Sequence, residues 1–209
     1  MKRKTTVATI LSAALLLTSC SSPHDAPSSP VGPDLVSAPE EVRWLTGPAG
    51  LSYPSSDVSG PSTSNPVPHG WSGDPQGAVL AAMTTQVFLS GADDTLWPAV
   101  SQTLIEPGPG RDQWAQARAL VSVEDTLVDA PDMHAFRIND FSEDSALVTV
   151  AARWPDGTVA ALPVQLSRMT GDWKVVLPTQ DEAPDLTALS DQHLSEFTPF
   201  SPDSEETEP

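Results

Sequence analysis

The apolar positions of this chain change their spacing three times. From Val7 to Leu17 they run almost unbroken, interrupted only by Thr9 and Ser12. From residue 21 to about residue 73 they are thinly scattered among Pro, Ser and Gly. From residue 74 they recur with helical spacing, and after Pro131 with a period of two. Asp74-Pro75 joins an N-cap residue to the one favoured at the first helical position. Val79, Leu80, Met83 and Val87 then share a helical face, and Gly91 supplies a stop. A second helix over 94–106 carries Leu96, Val100 and Leu104 on one stripe, with Pro98 tolerated in its first turn. Pro107-Gly108-Pro109-Gly110 breaks the chain, and a third helix carries Trp114, Ala117, Arg118 and Val121.

In the second half, Phe136-Arg137-Ile138 alternates and 142–145 is a polar turn. Ala146, Val148, Val150 and Ala152 face one way, with Leu147, Thr149, Ala151 and Arg153 facing the other. Pro155-Asp156-Gly157 is a hairpin signal, residues 158–169 return, and Thr170-Gly171 leads into a strand over 172–177. Three helices followed by three or more antiparallel strands make an α+β domain, its N-terminal helices packed on one face of a curved antiparallel sheet. No internal repeat is present.

Four segments flank this domain, which the pattern places at 74–180. Lys2, Arg3 and Lys4 precede the apolar run, the layout of a secretory signal peptide over 1–19. The run is far short of the ~20 residues of a spanning helix. Residues 20–41 read as a solvated Pro/Ser-rich stalk and 42–73 as an irregular N-terminal arm. The arm's Trp44, Leu45, Leu51, Tyr53 and Trp71 suggest chain laid over a domain surface, with Trp44 and Trp71 placed to pin it or, as the alternative, to meet a partner. The acidic segment 181–209 holds no Lys or Arg. In it, Leu186, Leu189, Leu194 and Phe197 are placed to dock a short helix, and chain beyond Pro199 is expected to be disordered.

Composition removes whole classes of chemistry. With 28 Asp+Glu against 10 Lys+Arg and a formal charge of −18, the chain does not suit nucleic-acid backbones. The four histidines, His24, His69, His134 and His193, have no metal-ligand spacing. The pairs Asp93-Asp94, Glu124-Asp125 and Glu143-Asp144 lack a calcium-loop pattern and read as solvated turns. There is no Gly-x-Ser-x-Gly elbow, and Gly108-Pro109-Gly110 has no lysine to make a phosphate cradle. A His134 pair with Asp132 or Asp140 is the remaining enzymatic idea, and a surface histidine explains it equally well. The expectation is a non-catalytic protein without metal or cofactor.

Several motifs carry resemblances. Leu17-Thr18-Ser19-Cys20, with the chain's single cysteine, resembles the bacterial lipobox. The resemblance implies cleavage before Cys20, lipidation of its thiol, and a protein held by membrane lipid on the extracytoplasmic face of the cell membrane. The Lys-poor, Ala- and Pro-rich composition is that of a GC-rich genome such as an actinobacterium's. Helix, helix, helix, then hairpinned strands closing on Gly171-Asp172-Trp173-Lys174-Val175-Val176 resembles the nuclear transport factor 2-like cone over 74–178. A cone of that kind implies an apolar interior, for which Trp114, Phe136 and Trp173 are the candidate lining. Trp44, Gly60-Pro61, Gly70-Trp71 and the run from Asp74 to Ala82 are similar to a family of uncharacterised actinobacterial exported proteins, some accompanying conjugative elements. That likeness implies an interaction or assembly role with an envelope protein partner and supplies no catalytic residues. A binding protein for a small apolar ligand is the alternative, and a cone-fold isomerase or dehydratase a more distant one.

Overall fold

The computed structural model describes residues 32–202, except 124 and 125. The signal peptide, Cys20, most of the stalk, the Glu124-Asp125 pair and the tail beyond Pro202 lie outside the described residues. What is described forms one body, from Pro33 onward.

The first helix organises that body. Asp74 accepts a hydrogen bond from the Gly77 N–H at 2.7 Å and Pro75 occupies the first turn, so helix α1 (Pro75–Gly91) starts where its cap dictates. Thirteen of its seventeen residues are buried. A helix that is apolar all round must be covered all round. The sheet covers one side and the N-terminal arm the other. The next two helices are shorter than the spacing suggests: α2 (Trp97–Thr103) and α3 (Pro109–Arg118). Asp93 delays α2 by holding the Thr95 and Leu96 N–H groups in a turn, both at 2.8 Å. Pro109 starts α3 rather than preceding it, and Val121 falls beyond the helix end.

Strands β3 (Asp132–Phe141), β4 (Ser145–Arg153) and β5 (Val159–Ser167) form an antiparallel meander. Two-residue strands complete it: β6 (Lys174–Val175), β7 (Thr187–Ala188) and, after the single-turn helix α4 (Asp191–Leu194), β8 (Thr198–Pro199). The six-stranded sheet runs β6-β5-β4-β3-β8, with β7 pairing the other end of β5, and it does not close. β6 and β7 cover the two ends of the β5 edge, and Pro163 between them has no N–H to offer a stray strand. The inner face presents Phe136, Val148, Val150, Val164 and Leu166 to α1, all buried. The alternation in β4 therefore sorts as its sequence indicates.

The arm is more regular than expected. Strands β1 (Val42–Thr46) and β2 (Ser52–Ser56) pair antiparallel and lie over α1, and the Thr84 hydroxyl of α1 donates to the Pro54 carbonyl. Downstream, Gly60 and Gly70 both have positive φ, +96° and +82°. A Cβ on Gly60 would stand 2.9 Å from the Gly70 carbonyl oxygen, and one on Gly70 would overlap the Ser62 hydroxyl. Asp172 locks this crossing to the sheet domain by accepting from the Gly70 N–H at 2.6 Å and the Trp71 N–H at 3.1 Å. The Trp173 indole adds a 2.8 Å bond to the Ser72 carbonyl. Gly60-Pro61, Gly70-Trp71 and the closing Gly171-Asp172-Trp173, far apart in sequence, thus meet at one joint.

Two boundaries move. Residues 33–41, expected in the stalk, lie against the body: Pro39 is buried, and the Gln76 amide donates to the carbonyls of Asp34 and Ser37, both at 3.1 Å. Phe200, expected in disordered chain, is buried against Trp44 and Phe136, with ring centroids 5.3 and 5.9 Å away. An aromatic ring with a ready apolar seat overrides the polar character of its neighbours. Leu189, Leu194 and Phe197 dock as expected, whereas Leu186 stays exposed.

Candidate functional site

The three proposed lining residues do not surround a common space. Phe136 and Trp173 are fully enclosed by other side chains; Phe136 meets Phe200 and Trp173 meets Phe141, each at 5.9 Å. Trp114 is half-buried and packs edge-on against Trp97 at 6.2 Å. Trp97 and Trp114 therefore sit at the margin of the core rather than inside it. The interior between α1 and the sheet is filled by Leu80, Met83, Val148 and Val150.

The other candidate groups are also placed. His134 lies in a bulge of β3, and the Arg153 guanidinium donates to its Nε2 at 2.6 Å. That nitrogen therefore faces a cation. Asp93 holds a turn, Asp94 accepts from Arg118 at 3.1 Å and from Ser122 at 2.9 Å, and Glu143-Asp144 forms the β3–β4 turn. Among the described residues no three His, Cys, Asp or Glu side chains converge as a metal site would need, and no helix is long and apolar enough to cross a membrane.

Two surfaces stand out instead. The first is the connection between α3 and β3. Leu120 is 87% exposed, Val121 59% and Val128 81%, an unusual density of bare aliphatic side chains. The connection is nonetheless fastened. Buried Arg118 donates to the carbonyls of Ala92, at 2.7 Å, and Val121, and the Leu127 N–H donates to the Ala49 carbonyl at 3.2 Å. Both ends are thereby tied near the C-terminus of α1, where Ala49 also touches the backbone around Gly91. A cleft of about 200 Å³ beside it is lined by Leu51, Val87, Leu127, Val128, Ala130 and Met133. Asp93, Asp94 and Asp129 are exposed on the same connection and the neighbouring turn.

The second surface is the outer face of the sheet. Residues 187–200 form a strap that crosses it and then turns around the β3 edge. Phe197 packs on Ala135 and Ala151, with Val159, Leu189 and Leu194 around it. Arg137 stands over the Phe197 ring at 5.0 Å and donates to Glu196 at 2.8 Å. Beside the strap an open groove of about 560 Å³ has Arg137, Thr149, Ala161 and Pro163 as its floor. Sequence reasoning placed Thr149 and Ala151 on this face and Phe197 in a docking segment, but it did not bring them together. The signal was Arg137 between the apolar Phe136 and Ile138, a cation aimed away from the core.

These features belong to a chain whose family is shown. A family model described as a domain of unknown function, DUF8175, matches residues 16–199, and the chain belongs to that family. No curated protein and no solved structure matches it.

Proposed function

We propose that this protein is a lipid-anchored, non-catalytic interaction module on the extracytoplasmic face of the cell membrane, serving the assembly of an envelope complex. The observation that carries the interaction is the exposure of three aliphatic side chains, Leu120, Val121 and Val128, on a fastened connection. Bare aliphatic side chains at this density point to a contact site, and a chain of charge −18 selects a basic partner and is repelled by anionic lipid. The location rests on Leu17-Thr18-Ser19-Cys20. Two acyl chains hold a protein where one does not. Within this reading, the helices followed by an open antiparallel sheet are a variant of the nuclear transport factor 2-like cone. Conjugative transfer machinery is the setting that the resemblance of the arm favours.

The test uses the tagged protein in its native host. Intact-mass analysis after detergent extraction should show a diacylglyceryl-modified Cys20, and Cys20→Ala should release the protein from the membrane. Cross-linking should then capture a defined membrane partner with the anchored protein. The capture should fail for the anchored Leu120→Asp/Val128→Asp variant, whose melting temperature should be unchanged. An unmodified Cys20 would end the anchoring reading, and capture indifferent to both aspartates would end the docking reading.

A further inference from the structure

The outer sheet face has a chemistry of its own, independent of the aliphatic surface. Only seven basic residues lie between residues 32 and 202, and two of them, Arg137 and Arg153, stand on adjacent strands of this face. They flank the small-residue seat of Ala135 and Ala151 that holds Phe197. Arg153 stands opposite Asp132 in the register, and Arg137 is the cation that meets the occupant of the aromatic seat, through Glu196 and Phe197.

The strap that occupies this face fills it incompletely. β8 pairs only with Ala135 and Phe136 of the ten-residue β3, so residues 137–141 have no strand on that edge among the described residues. Between the strap and the sheet, the groove over Arg137, Thr149 and Pro163 is left open, with Thr187, Leu189 and Glu196 of the strap along it. The attachments before Phe200, which is buried in the core, are also light. Arg137 and Glu196 are half-exposed, β7 and β8 are two residues each, and the linker 181–186 is exposed throughout. Exposed pairs of this kind contribute little.

We infer that the outer sheet face is a docking site for an extended segment of a partner protein that carries a carboxylate next to an aromatic residue, and that the strap is its resident competitor. The strap's own Glu196-Phe197 states the chemistry: the carboxylate meets Arg137, the ring fills the Ala135–Ala151 seat, and the following backbone adds to the β3 edge. A partner strand longer than two residues would pair with more of the β3 edge.

Fluorescence anisotropy with a labelled synthetic peptide of this chain's residues 187–199 tests it on the purified full chain. Phe197→Ala, which empties the seat, should bind the peptide at least about tenfold more tightly than the wild type. A peptide with alanine in place of its phenylalanine should not bind, and adding Arg137→Glu to the Phe197→Ala chain should abolish binding. Should Phe197→Ala lose its native near-ultraviolet signal, Glu196→Lys serves in its place, because it breaks only the exposed pair. No binding to a natively folded released-strap variant, equal binding to variant and wild type, or binding indifferent to Arg137→Glu would each overturn the inference. A concentration-dependent wild-type dimer that dissociates in Arg137→Glu would also overturn it, by making a second copy's strap the occupant.

Discussion

Two stretches of chain outside the helix-and-sheet body are laid back onto it, and they are held in opposite ways. The N-terminal arm is built into the core: Val67 and Trp71 are buried, and its backbone N–H groups are fastened by Asp172. The C-terminal strap is held as far as Phe197 by one small apolar cluster, an exposed ion pair and paired strands of two residues, and only at its end does Phe200 enter the core. Removing water from a large ring and satisfying buried donors are strong terms; a half-exposed ion pair is a weak one. The arm is therefore part of what makes the body fold. The strap is a separable layer, and low local stability is what exchangeable surfaces are drawn from.

That contrast breaks most visibly at Trp71. Trp71→Ala should cost about 3–5 kcal/mol, the range for deleting a large buried aromatic. It should appear as a single cooperative loss in a denaturant melt of the whole body. Asp172→Ala should follow at about 1–3 kcal/mol for each orphaned donor, and Asp172→Asn should recover part of the loss by keeping one acceptor. If either variant melts like the wild type, the arm is not integral. On the strap, Phe197→Ala removes a buried ring worth up to about 3 kcal/mol, yet the global melt should move less, because the strap opens before the body unfolds. Hydrogen exchange read by mass spectrometry should speed up over 187–200 and stay unchanged over 75–91. Arg137→Ala should change stability by about 0–1 kcal/mol, less at high salt.

How far the sequence shows this division depends on the range of the contacts involved. Helix α1 is legible from Asp74-Pro75 and its apolar spacing because a cap and a helical face are local features. The face assignment in β4 is legible for the same reason. The arm's hairpin is not, since Ser52-Tyr53-Pro54-Ser55-Ser56 has little strand propensity and pairs because α1 needs a cover on its second side. The all-round apolarity of α1 was the available hint. Asp172 reads as the start of a strand, and its role as a lock joins residues about a hundred positions away. The outer face escaped notice because its seat is made of alanines, which gain meaning only when Phe197 arrives from the far end of the chain. Cys20 is the opposite case: a motif fully legible in sequence and lying outside the described residues.

The finest probe of the arm is its tyrosine, which is also the only one in the chain. Tyr53 is buried on β2 with its ring edge-on to Phe88 at 5.4 Å, and loss of water raises its phenol above the usual value of 10.0. The folded state thus holds this proton more tightly than the unfolded chain does. The resulting stabilisation is complete below about pH 10 and is lost as pH rises through the folded value. Absorbance near 295 nm should therefore show a phenolate that appears late, together with opening of the arm, and not as a free titration centred on 10. Tyr53→Phe should leave the neutral-pH melt almost unchanged while removing the tyrosine's share of the alkaline loss. An ordinary titration with the arm still protected from exchange would show that β2 gives water access to the phenol, and the arm would then resemble the strap at this point. A delayed titration in which 42–72 loses exchange protection would confirm that the two wrappings differ in kind.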